Sequence, residues 1–191
     1  MIVLASGSAS RRAMLESAGV AFQVQPPLVD ERAIEAGLEG ARPDQVALAL
    51  AKAKALAIED ARPVLGSDSL VVVAERRFDK PASREEAAEH LRAFSGHVMQ
   101  LHSAAAIARN GEIAWHHAEV ATLQVRRLSE EFIAAYLDAE WPAVSQCVGV
   151  FRLEGRGVQL FERIDGDHFS ILGMPLIPVL NALRDIGELP A

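Results

Sequence analysis

The alternation of apolar and polar positions divides the chain into short strands and amphipathic helices. "IVLA" at residues 2–5 is an apolar run suited to a buried strand, and a glycine-containing loop follows it. Ser10 to Ala18 predicts a helix with Ser10 as N-cap, Met14, Leu15 and Ala18 on one face, and Gly19 as its stop. "AFQVQ" alternates and predicts a strand ending at Pro26-Pro27. A polar segment surrounds Asp30-Glu31, and a helix opens at Pro43 and runs to about Glu59. "PVLGSDSLVVVA" reads as two apolar runs broken by Gly66-Ser67-Asp68-Ser69. Ser83 with Glu86 forms a capping box, and the helix it opens stops at Gly96.

The second half reads in the same way. A long apolar stretch around Asn110-Gly111 predicts a hairpin. Ser129 with Glu130 and Glu131 opens a helix that ends before Trp141-Pro142. Residues 144–164 predict two short strands around a Gly155–Gly157 turn, Asp165-Gly166-Asp167 a turn, and Pro175 to about Gly187 a final helix. Strands and helices alternate early and a hairpin follows. The expected class is therefore α/β with a mixed central sheet flanked by helices. No repeat, low-complexity segment or linker interrupts the chain, so residues 1–191 are expected to form a single domain.

Composition narrows the function. Half of the 191 residues are apolar, enough for a substantial core. The net charge of -7 argues against nucleic-acid binding, which needs a positive footprint. A nucleotide is still admissible, because a few local cations and a metal suffice to hold a triphosphate. Cys147 stands alone, which excludes an internal disulfide and fits a reducing cytoplasm. No signal-peptide pattern is present and no apolar stretch reaches the roughly 18–20 residues of a membrane span, so no membrane partner is expected.

Four places carry candidate chemistry. In "VLASGSASRRAML" a Gly-Ser loop lies between a strand and a helix, where backbone N–H groups, hydroxyls and the helix dipole can hold an anion. Arg11 and Arg12 lie in that helix's first turn, where the dipole disfavours cations unless an anion binds. A plain strand-to-helix turn with two solvated arginines fits these residues as well. Lys54 falls four residues after Leu50 on the apolar stripe marked by Val46, Leu50 and Ala57, whereas Lys52 lies about 200° away and looks solvated. A lysine on that stripe either finds an anion or snorkels to water. Asp68 interrupts an apolar double run at the expected end of a central strand, where it suits Mg²⁺ binding, proton abstraction from water or a simple turn hydrogen bond. Glu31, Lys80 and Glu154 are loop charges without a local pattern of their own. Adjacent His116 and His117 point to opposite faces of a strand, which gives no zinc site.

Taken in order, "LASGSASRRAML", "VDE", "LAKAKA", "LGSDSLV", "DKP", "FSG" and "IDGDHFSILGMPL" resemble the Maf family of nucleoside triphosphate pyrophosphatases, from residue 3 to about residue 177. The resemblance implies an elongated two-lobed fold similar to the inosine triphosphatases, often dimeric. It implies hydrolysis between the α and β phosphates, giving a nucleoside monophosphate and pyrophosphate. By motif it implies Asp68 as the catalytic carboxylate, Glu31 with Asp68 as Mg²⁺ or Mn²⁺ partners, and Ser6, Ser8, Arg11, Arg12, Lys54 and Lys80 as triphosphate contacts. The usual proline before the arginine pair is absent, and Ser10 and Ser69 stand at specificity positions where they match neither of two branches. Glu154 resembles the 7-methyl-GTP branch, and its carboxylate can accept from guanine N1–H and N2–H₂. The family's association with septation implies a competing reading: a non-enzymatic regulator of division that binds a nucleotide or a protein.

Overall fold

The computed structural model describes residues 1–190. The strands are β1 (Ile2–Ala5), β2 (Phe22–Val24), β3 (Val64–Val73), β4 (Arg76–Phe78), β5 (Val98–Arg109), β6 (Glu112–Val125) and β7 (Phe161–Asp165). The helices are α1 (Ala9–Ser17), α2 (Glu31–Ala36), α3 (Pro43–Leu56), α4 (Arg84–Phe94), α5 (Glu130–Glu140), α6 (His168–Ile171) and α7 (Leu176–Asp185). The strands join in one sheet of order β2-β1-β3-β5-β6-β7, with β4 added to β3. β1 is parallel to β2 and β3, while β4 and β7 pair antiparallel, which makes the sheet mixed as the sequence predicts. No described helix is long and apolar enough to cross a membrane.

The chain divides into two compact units. The first holds Met1–Ser69, His102–Val120 and the chain from Asp167 onward. Its core gathers Ile2, Leu4, Met14, Leu15, Leu65, Ile107, Met174 and Val179. All four residues of β1 are buried because it has a parallel neighbour on each side. Gly66 in β3 has no room for a side chain: a Cβ there would meet the backbone of Ala51 and Ala55. α3 therefore lies against β3 backbone to backbone. The hairpin at Asn110-Gly111 has positive φ at both residues, +53° and +78°, the geometry that matches strand twist.

The second unit holds Leu70–Leu101 and Ala121–Gly166. Phe78, His90 and Phe94 form an edge-to-face cluster there, and Phe151 packs edge-on against Phe161. Arg92 pairs with Glu130, and Arg84 with Asp138, so charged side chains link α4 to α5.

Several expectations are corrected. Ser8, not Ser10, caps α1 by accepting from the Arg11 N–H; the Ser10 hydroxyl donates to Leu172 O instead. The segment around Asp30-Glu31 is a helix, α2, capped by Asp30. The buried stripe of α3 is Ala47, Leu50, Ala51, Lys54 and Ala55, while Val46 is half-buried and Ala57 is the exposed C-cap. Lys52 is half-buried rather than solvated. β3 runs unbroken through Gly66–Ser69: β1 pairs with it as far as Gly66, and β5 is its neighbour on the other side, so strand pairing rather than the side chains decides its course. Asp68 is thus inside its strand, not at its end. Residues 144–164 hold one strand, β7, preceded by 3-10 turns at Ala143–Gln146 and Arg156–Leu160.

Candidate functional site

The register of the parallel pair builds the site. Ala5, the last residue of β1, stands opposite Gly66. The loop Ser6–Ser8 therefore leaves β1 at the level where β3 continues into Ser67–Ser69. Side chains alternate along β3. Gly66 faces α3, so Asp68 faces α3 too, and Ser67 and Ser69 face the other way.

On the α3 side the lysine finds its anion. Lys54 Nζ donates to Asp68 Oδ1 at 2.5 Å and lies 2.8 Å from Glu31 Oε1. Lys54 and Asp68 are buried, and Glu31 is half-exposed at the start of α2. A buried ammonium and carboxylate are each costly alone, and their pairing offsets that cost. One cation thus joins two carboxylates that come from different helices and strands.

On the opposite side Arg11 spreads its fork over three acceptors. Nε donates to Gly173 O at 2.9 Å, Nη1 to Ser6 Oγ at 3.3 Å, and Nη2 to Ser69 Oγ at 3.3 Å. Burial lowers the Arg11 pKa, and the charges of Asp68 and Glu31 oppose that shift. The guanidinium therefore feels both carboxylates of the Lys54 cluster. Ser8 N donates to Ser6 Oγ at 3.1 Å, which holds the loop in shape. Arg12 points away, exposed, and pairs with Glu16.

A hydroxyl layer of Ser67, Ser69, Ser103 and Ser170, of which only Ser69 was singled out from sequence, supports this fork. Gly173 O also accepts from Ser69 Oγ at 2.9 Å and from Ser67 Oγ at 3.2 Å. Its φ of +107° is a conformation that only glycine adopts readily. Ser69 Oγ is 3.0 Å from Ser103 Oγ, and Ser103 donates to Ser170 O at 2.6 Å. Ser170 in turn donates to Glu119 Oε2 at 2.5 Å. The available signal was the recurrence of serine at 67 and 69, on either side of Asp68, in a strand whose other residues are apolar or glycine.

Of the residues singled out from sequence, the first unit brings together Ser6, Ser8, Arg11, Glu31, Lys54, Asp68 and Ser69, with Ser10 on the flank of α1. Lys80 and Glu154 belong to the second unit, and both are exposed. There burial raises the Cys147 thiol pKa, with Glu154 adding to the rise and Arg152 and Lys80 opposing it. Glu154 and Lys80 therefore lie in electrostatic reach of the same thiol.

The donor set bears on a metal. Among the described residues no group of three or more His, Cys, Asp and Glu could hold one. Glu31 and Asp68 nevertheless offer hard carboxylate oxygens to a single cationic point. Two carboxylates completed by substrate phosphates and water are a common donor set for Mg²⁺. The residues fit such an ion.

Comparison with known proteins agrees with the motif reading. The family described as "Maf-like protein" matches residues 1–186. A protein of Rhizobium etli named 7-methyl-GTP pyrophosphatase is 46% identical over 193 residues, covering 98% of this chain and 97% of its own. One of Rhodopseudomonas palustris named nucleoside triphosphate pyrophosphatase is 43% identical over 186 residues, covering 96% and 92%. Among solved structures, a HAM1 protein from Coxiella burnetii aligns over 66% of this chain and 73% of its own, at 18% identity and a TM-score of 0.42. With its whole length but for the last residues matched, the chain belongs to the Maf family.

Proposed function

We propose that this chain hydrolyses nucleoside triphosphates to nucleoside monophosphate and pyrophosphate. The observation that carries the reading is the buried Lys54 ammonium held between Asp68 and Glu31 within the field of Arg11. Phosphoryl transfer needs positioning and neutralisation of charge more than covalent chemistry. Cations beside a carboxylate able to take a proton from water supply both.

In this reading Asp68 accepts a proton from a water whose oxygen attacks the α-phosphorus. The bond from that phosphorus to the bridging oxygen breaks, and pyrophosphate leaves with the electron pair. Ser6, Ser8, Arg11, Lys54 and Lys80 bind the phosphates, and Arg11 presents a rigid fork suited to their oxygens. Asp68 and Glu31 would hold Mg²⁺ or Mn²⁺, which when bound neutralises charge on the triphosphate. Ser10, Ser69 and Glu154 set the base. Glu154 and the relatives named 7-methyl-GTP pyrophosphatase favour a modified guanosine triphosphate.

The test is incubation with 7-methyl-GTP, GTP, UTP, dTTP and CTP, each with Mg²⁺ or Mn²⁺, followed by product analysis. Pyrophosphate and monophosphate in equal amounts are expected, fastest with 7-methyl-GTP. Nucleoside diphosphate and phosphate, or no product at all, would contradict the proposal.

A further inference from the structure

The second unit contains a buried carboxylate outside the cluster already described. Glu140, the last residue of α5, is 7% exposed. It accepts from Arg156 N at 3.2 Å, and its Oε2 lies 3.3 Å from Arg152 Nε without forming a hydrogen bond. Four residues earlier on the same helix, Tyr136 donates its hydroxyl to Val150 O at 2.9 Å. Residues i and i+4 share a helix face, so one face of α5 holds both ends of the segment 150–156.

That segment is tightly constrained between its ties. Val150 is buried with φ +54°, a left-handed conformation that is a genuine outlier for a β-branched residue. A Cβ on Gly157 would meet Arg152 N at 2.7 Å, and one on Gly155 would come within 3.3 Å of Glu140 Oε1. Between the two ties, which end at Val150 and Arg156, the exposed residue is Glu154; Arg156 itself is exposed but has its main-chain N–H held by Glu140. A half-bonded buried charge is a poor way to gain stability alone, because an apolar side chain of similar volume usually does as well. What the carboxylate adds is placement: it accepts the main-chain N–H two residues after Glu154 and attracts the side chain two residues before it.

We propose that Glu140 is a positioning residue for base selection: it sets the place of the Glu154 carboxylate by gripping the loop at residues 152 and 156. The inference rests on the reading above, in which Glu154 meets the nucleobase. Glu140 acts through Glu154, so its loss alters the choice between nucleotides and spares turnover.

The experiment measures kcat and KM for 7-methyl-GTP and UTP in the wild type, Glu140→Gln, Glu154→Gln and the double variant, with thermal unfolding as a check on folding. Glu140→Gln is nearly isosteric and preserves an acceptor for Arg156 N. Its kcat/KM ratio between the two nucleotides is expected to fall about tenfold, mainly through KM for 7-methyl-GTP. In the Glu154→Gln background it is expected to change the ratio no further. Tyr136→Phe releases the other tie and is expected to move the ratio in the same direction. If Glu154→Gln shifts the ratio but Glu140→Gln does not, or if the two substitutions act independently, the positioning inference is overturned and the proposed function stands. If the wild type hydrolyses neither nucleotide, both are overturned.

Discussion

Lys54 Nζ stands 2.5 Å from Asp68 Oδ1, and the absence of a side chain at Gly66 is what allows it. Because α3 lies backbone to backbone on β3, a side chain from α3 reaches a carboxylate two residues further along the strand.

Gly66→Ala is therefore expected to push α3 off the sheet. Its Cβ would meet main-chain atoms of Ala51 and Ala55, which cannot rotate aside. Overpacking of this kind costs about 1–3 kcal/mol, read as a lower midpoint in urea unfolding. Hydrolytic activity should fall with it, and unchanged activity would separate the helix contact from the site.

Lys54→Met leaves Asp68 buried beside an apolar side chain, with only one-tenth of either original side chain exposed. Removing one partner of a buried pair costs about 3–5 kcal/mol. Adding Asp68→Asn should recover much of that loss, since the uncompensated charge is gone. Unfolding of the two single variants and the double variant, measured as a cycle, checks the coupling.

Arg11→Lys keeps the charge but removes the fork that reaches Gly173 O, Ser6 and Ser69. We expect a large loss of kcat/KM, whereas Arg12→Lys, whose partner is the exposed Glu16, should be tolerated far better. Equal effects at the two positions would contradict the separate places of the two arginines.

Stability should decline on the acid side. Burial lowers the pKa of His90 and His102 from the ordinary 6.5. The unfolded chain then binds more protons than the folded one as pH falls below 6.5, so stability is present above that value and lost through the depressed folded values. The chain lacks hydrogen-bond partners at His90 Nδ1 and at both His102 nitrogens among the described residues, which fits neutral rings. Replacing both with Phe should flatten the fall in stability between pH 6.5 and 5, measured by urea unfolding at each pH.

What was legible in the sequence follows from where the physics is local. The strand of "IVLA", the Asn110-Gly111 hairpin and the helix opened by Ser129 depend on neighbouring residues, and each has the expected form. The preference for Lys54 over Lys52 came from helical spacing alone, and Lys54 does lie on the buried stripe. Illegible parts depend on distant partners. β3 runs through four turn-forming residues because it is a central strand, paired with parallel β1 up to Gly66 and bordered by β5 on its other side. Ser8 caps α1 because Ser10 has Leu172 O as an acceptor, 162 residues away. Gly173 collects Arg11, Ser67 and Ser69 through a carbonyl, and nothing in a side-chain pattern announces a backbone acceptor.

The most direct test of the account is turnover in Asp68→Asn beside nucleotide binding in the same preparation. Loss of a general base typically costs 10²–10⁴-fold, so pyrophosphate release should fall by about that factor while the nucleotide still binds. Wild-type turnover in that variant would contradict the assignment of Asp68 as the group that takes the proton from water.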